Sequence, residues 1–253
     1  MLFLFEARRS LLKQSRVGKE TMVGRETGKG SMVVAISAPL VLVLVYLALG
    51  PDAPSDAALI AAGAKVDAAV ADGAWWRLVS AGALHASLLH VMLNSVLWGF
   101  GIAAWTRLGR TLGDEGVGRA LAAVALAVVA STAGFLASFI ARAGPSVGAS
   151  GAALGVLAAV VVAVWRRRGD LPTGLRTRGP IALGAAYVAV LVASSWAPGV
   201  DHFAHLGGAF AGFLLAPLAD RSGRSRLVLG VMAASLIAVA VAIALTDGRP
   251  HGI

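Results

Sequence analysis

Seven stretches of this chain are apolar over roughly the span of a lipid bilayer, and this constrains its fold more than any motif does. A helix needs about 20 apolar residues to cross hydrocarbon. The runs lie at approximately 32–50, 82–104, 119–141, 146–165, 180–197, 201–219 and 227–246. The expected fold is therefore all-α: a polytopic transmembrane helical bundle with seven spans. Only 14% of residues are charged, against about 25% in soluble domains. The net charge of +9 is carried by short clusters between the apolar runs. Such clusters suit loops at an anionic cytoplasmic leaflet and argue against a nucleic-acid partner. The chain has no cysteine, which excludes disulfides, thiol nucleophiles and thiolate metal sites.

The fourth and sixth runs are shorter and richer in glycine than a lone anchor, so they are expected inside the bundle. The first run starts late and lacks a cleavage site, so it is not a cleavable signal. Residues 1–31 are basic and unpatterned and are expected to form a disordered cytoplasmic tail, with Met22 or Met32 as alternative starts. Of the 22 basic residues, 18 fall on one side of this seven-span arrangement; Lys65, Arg77, Arg142 and Arg249 fall on the other. The bias puts the amino terminus inside and the carboxyl terminus outside.

Polar groups are costly in hydrocarbon, so each one within a span needs a reason. Span two carries "HASLLHVMLN" with His85, His90 and Asn94; span four carries Ser150; span six carries "DHFAHLGGAFAG" with His202 and His205. At about 1.5 Å rise per residue, Ser150 and His205 lie equally far below the outer ends of their spans. His90 and Asn94 are somewhat deeper and, four apart, share one face. Alone, a serine in a glycine-rich span is a packing contact, a membrane histidine is as often a hydrogen-bond partner as a functional group, and the pairs Gly151/Gly155 and Gly208/Gly212 are helix contacts. Their convergence at one depth is what chance does not produce.

Together these groups supply the parts for acyl transfer. Ser150 with His205 is a nucleophile and its general base, and the glycines let the two helices approach within hydrogen-bond reach. Ser150 in the first turn of a helix has backbone N–H groups and a positive dipole end beside it. His90 and Asn94 are further donors for an oxyanion hole. In a membrane the acyl donor is another protein's peptide bond.

These motifs, "GASG" at 148–151, "HASLLHVMLN" at 85–94 and "AHLGGAFAG" at 204–212, resemble those of the rhomboid intramembrane serine proteases. The resemblance covers spans one to six. It implies Ser150 as nucleophile, His205 as base, and an oxyanion hole of His90, Asn94 and the Ser150 N–H. Gly148, Gly151, Gly155, Gly208 and Gly212 support the site, and His85 is structural. Trp76-Arg77 resembles the signature of the first external loop, which these residues would brace. It also implies a division into the tail (1–31), a six-helix core (32–220) and an additional C-terminal helix (221–253). Leu154 stands where the family often has an aromatic residue. Asp201 reads as a helix-start residue, the family working with a dyad.

The expected partners are single-span membrane protein substrates, cleaved near the outer face, and membrane lipids; no metal or cofactor is implied. An inactive rhomboid-like protein that binds membrane clients is the alternative, and the retained serine and histidine speak against it. A metalloprotease lacks its carboxylate, since "HASLLH" is not H-E-x-x-H. An aspartyl protease lacks buried aspartates. A transporter would show matching halves and polar groups at the midplane. The Ala, Val, Gly and Arg richness suggests a bacterial plasma membrane.

Overall fold

The computed structural model describes residues 29–50, 54–114, 116–176, 189, 199–221 and 223–246. The span expected at 180–197 lies outside the described residues apart from Ala189, as do most of the tail and residues 247–253. In chain order the helices are α1 (Lys29–Leu49), the short α2 (Asp56–Ala61), α3 (Asp67–Ala71) and α4 (Arg77–Ser80), then α5 (Leu88–Thr111), α6 (Val117–Ile140), α7 (Ser150–Arg166), the short α8 (Thr173–Arg176), α9 (His202–Asp220) and α10 (Arg224–Thr246). Five of these, α1, α5, α6, α9 and α10, are long and apolar enough to cross a membrane; α7 is apolar but has 17 residues. The architecture is thus a polytopic helical bundle.

Helix α7 is central. It packs against α5, α6 and α9, and most of its residues are buried. Its sequence, SGAALGVLAAVVVAV, explains this position: small side chains let neighbouring backbones approach closely where lipid provides no hydrophobic driving force. Helices α1 and α10 lie at the periphery, with exposed Leu44, Leu227 and Val239. At 17 residues α7 is about 25 Å long, against a hydrocarbon core of roughly 30 Å.

Helix α1 starts at Lys29, inside the stretch expected as a tail, and two helices start four to six residues later than the expected spans. Helix α5 begins at Leu88, six residues later than the apolar run at 82. Residues 81–83 form a 3₁₀ turn that leaves Leu84 extended. Ser87 is also extended and accepts the His90 N–H at 3.2 Å, capping the helix there. His85 therefore sits in a loop and not on a span. Helix α7 begins at Ser150 and not at 146, because Gly148 has φ +129°, a conformation closed to other residues. Ser146 instead makes an isolated antiparallel bridge with Lys65.

At the opposite end from Ser150, charges tie four helices together. The buried Arg119 donates to the Trp105 carbonyl at 2.9 Å and to Asp114 at 2.7 Å, and lies 3.3 Å from Asp220. Arg226, at the start of α10, pairs with the same Asp114.

Candidate active site

Ser150 is the first residue of α7, and its preceding Ala149 provides no side-chain cap. The first-turn N–H groups of such a helix have no partner within it. His205 lies in the first turn of α9, whose N-cap Asp201 accepts the Ala204 N–H at 3.0 Å. Ser138 of α6 donates to the other oxygen of Asp201. Asp201 is therefore a helix-start residue, fixed in turn by a neighbouring helix.

The structure brings Ser150 and His205 into direct contact: His205 Nε2 and Ser150 Oγ are hydrogen bonded. What permits this is backbone-on-backbone packing of α7 against α9. A Cβ at Gly208 would stand 2.7 Å from Gly151 Cα. One turn on, a Cβ at Gly212 would stand 2.5 Å from Gly155 Cα, and at Gly155 2.9 Å from the Gly208 carbonyl. Real Cβ contacts are ordinarily at least 3.4 Å. The four glycines form one crossing, and any side chain there separates the helices that carry the serine and the histidine. Leu154, on the same helix as Ser150, is buried.

His90 and Asn94 meet at Gly148, two residues before Ser150. A Cβ at Gly148 would lie 2.8 Å from His90 Nε2 and 3.4 Å from Asn94 Nδ2. Glycine thus satisfies two demands at once, a positive φ and an open space facing both side chains. Asn94 is 3% exposed, yet its Nδ2 has no hydrogen-bond partner. A buried amide left unpaired costs about 1–3 kcal/mol. His85 is fully buried, stacks edge-on to His90 with ring centroids 5.0 Å apart, and accepts the Ala149 N–H on Nε2 at 3.3 Å. That bond occupies the Ala149 amide.

Trp76 and Arg77 lie apart from this group, in the segment between α1 and α5. Arg77 is buried and donates to the carbonyls of Ile60 at 2.7 Å and Ala64 at 2.9 Å, with its guanidinium 4.8 Å from the Trp76 ring centre. Both residues hold the segment together. No group of metal-binding side chains occurs among the described residues.

Sequence inspection missed Lys65 and Asp67, which contact Gly144 in the segment that leads into Ser150. Lys65 registers in the sequence only as a charge on the sparsely basic side, but it is fully buried. Its Nζ lies 2.6 Å from Asp67 and donates to the Gly144 carbonyl at 2.7 Å. The available signal was its rarity: basic residues are scarce on that side, so each one retained there invites a specific explanation.

Comparison with known proteins agrees with this architecture. A family model described as the Rhomboid domain matches residues 72–222, more than half of the chain. Rhomboid protease GluP of Bacillus subtilis (strain 168) is 29% identical over 242 residues, 91% of this chain and 43% of its own. RHOMBOID-like protein 1 of Arabidopsis thaliana is 35% identical over 144 residues, 55% of this chain and 33% of its own. RHOMBOID-like protein 5 of the same plant is 32% identical over 173 residues, 66% and 50% respectively. The chain therefore spans half or less of the length of each of these relatives. With several membrane-length apolar helices around a short glycine-rich one, this multi-pass integral membrane protein belongs to the rhomboid family.

Proposed function

We propose that the protein is an intramembrane serine endopeptidase that hydrolyses peptide bonds of transmembrane proteins through a Ser150–His205 dyad. The observation that carries it is the Ser150–His205 hydrogen bond at a crossing built from four glycines. The protease named among its relatives supports the same activity.

The chemistry follows from the groups present. As Ser150 Oγ bonds to the scissile carbonyl carbon, its proton passes to His205 Nε2. The carbonyl oxygen becomes an oxyanion and accepts from Asn94 Nδ2, the Ser150 N–H and His90; one such donor contributes about 3–4 kcal/mol to lowering the barrier. His205 then gives its proton to the leaving amine, whose C–N bond breaks. Water, deprotonated by His205, then attacks the acyl carbon; the C–Oγ bond breaks and His205 returns the proton to Ser150 Oγ. A regular helix hides its carbonyls in its own hydrogen bonds, so the substrate segment must be extended where it meets Ser150. Helices with small or helix-breaking residues near one end meet that need.

Within this proposal residues 32–220 form the catalytic core, 1–31 a cytoplasmic tail and 221–253 an added helix. The distribution of basic residues supports an outward-facing site, with the amino terminus inside. A serine-directed fluorophosphonate tests the activity. The wild-type protein in detergent is expected to be labelled, and Ser150→Ala and His205→Ala are expected not to be, with unchanged thermal unfolding. Labelling or cleavage retained by Ser150→Ala would defeat the assignment.

A further inference from the structure

The segment that leads into Ser150 carries little structure of its own. Residues 141–149 join α6 to α7 and include Gly144 at φ +84° and Gly148 at φ +129°. Such a segment is free to wander unless something outside it fixes it. Residues 141–143 bond back to the last turn of α6, whereas the hydrogen-bond anchors of 144–149 ahead of α7 come from the stretch between α1 and α5. The Gly148 N–H donates to the Ala81 carbonyl at 2.9 Å, and the Ala149 N–H to His85. Ser146 and Lys65 exchange backbone hydrogen bonds at 2.9 and 3.1 Å.

The strongest anchor is ionic. Lys65 Nζ donates to the Gly144 carbonyl at 2.7 Å, while Asp67 Oδ2 accepts the Gly144 N–H at 2.9 Å. The two side chains also pair with each other at 2.6 Å. Both polar groups of one glycine are thus gripped by an ion pair whose lysine is fully buried. Burying an ammonium is expensive unless it is paired and hydrogen bonded, and removing one partner leaves the other exposed to that cost.

We infer that Lys65 and Asp67 are positioning residues for the nucleophile: by gripping Gly144 they set the register of residues 144–149, and so the place of Ser150 Oγ relative to His205. Neither residue touches the reacting atoms. Their effect on rate rests on Ser150 being the nucleophile, as proposed above, whereas their effect on the segment does not.

The experiment therefore reads both. The full chain in detergent micelles is compared with Lys65→Met, Asp67→Asn and Lys65→Arg. Hydrogen exchange is followed in peptides covering 141–149 and 150–166, alongside fluorophosphonate labelling of Ser150. In Lys65→Met and Asp67→Asn, exchange in 141–149 is expected to rise at least tenfold while 150–166 stays protected. Labelling is expected to slow by about ten- to a hundredfold, the scale of a misplacement near 1 Å. Lys65→Arg, which keeps the charge and the donor, is expected to recover most of both. Unchanged exchange at 141–149 in the two variants overturns the inference. So does global unfolding of both, which would make the pair a support of the whole fold. A wild-type protein that is not labelled defeats the proposed activity and leaves the exchange test standing.

Discussion

Adding one methyl group at Gly208 should separate the dyad without unfolding the protein. In the native packing a Cβ at this position would lie 2.7 Å from Gly151 Cα and 2.8 Å from Gly151 C. Both atoms belong to the backbone of α7, so no side chain can swing aside. Carbon atoms settle at about 3.5–4.0 Å, so α7 and α9 must part by about 1 Å. Gly151 adjoins Ser150, and Gly208 lies one turn from His205, so the separation is felt at the Ser150–His205 hydrogen bond. A shift of about 1 Å costs about a hundredfold in rate, and overpacking of this kind destabilises by about 1–3 kcal/mol. The measurements are kcat for a transmembrane substrate, fluorophosphonate labelling and thermal unfolding of Gly208→Ala. Gly230→Ala on α10 is the control, since nothing lies within 4 Å of its added Cβ; it is expected to keep the wild-type rate. A Gly208→Ala protein with wild-type kcat would refute the claim that glycine packing sets the dyad distance.

Other perturbations separate catalysis from folding. Asn94→Ala removes a donor that has no partner in the resting protein, so kcat should fall about 10²–10³-fold with little change in thermal unfolding. Arg77→Leu removes two charge-assisted hydrogen bonds to carbonyls; thermal or denaturant unfolding should show a loss of about 3 kcal/mol or more, and Arg77→Lys should recover only part of it. Asp114 lies outside the spans. Burial favours its neutral form, but the hydrogen bonds and charges of Arg226 and Arg119 outweigh burial and hold its carboxyl below the ordinary 3.8. A depressed folded value gives stability that is present above 3.8 and is lost as pH falls from there through the folded value. Unfolding midpoints of the wild type should therefore drop on acidification below 3.8, and Asp114→Asn should lack that part of the drop.

Features governed by local pattern were legible before any coordinates. The apolar runs announce membrane helices, because hydrocarbon forces the backbone to bond within each segment. Ser150 and His205 were also accessible: each sits a few residues inside a glycine-rich run, and spacing along a helix converts directly into depth. Helix starts were less legible. Hydropathy counts Gly82 and Ala83 as span and has no measure of the Ser87 cap or the Gly148 torsion that place α5 and α7 later in the chain.

By itself the sequence determined that this is a bundle of membrane helices with a serine, histidines and an asparagine gathered at one level, since period and length are properties of single segments. Only the tertiary structure decided what holds them there. Lys65 meets Gly144 across 79 residues, Ser138 meets Asp201 across 63, and Arg119 meets Asp220 across 101. No periodicity links such pairs. They become neighbours only through packing: the first pair joins two loops, and the other two join α6 to α9, which approach so closely that a Cβ at Gly207 would stand 3.0 Å from Gly134 Cα.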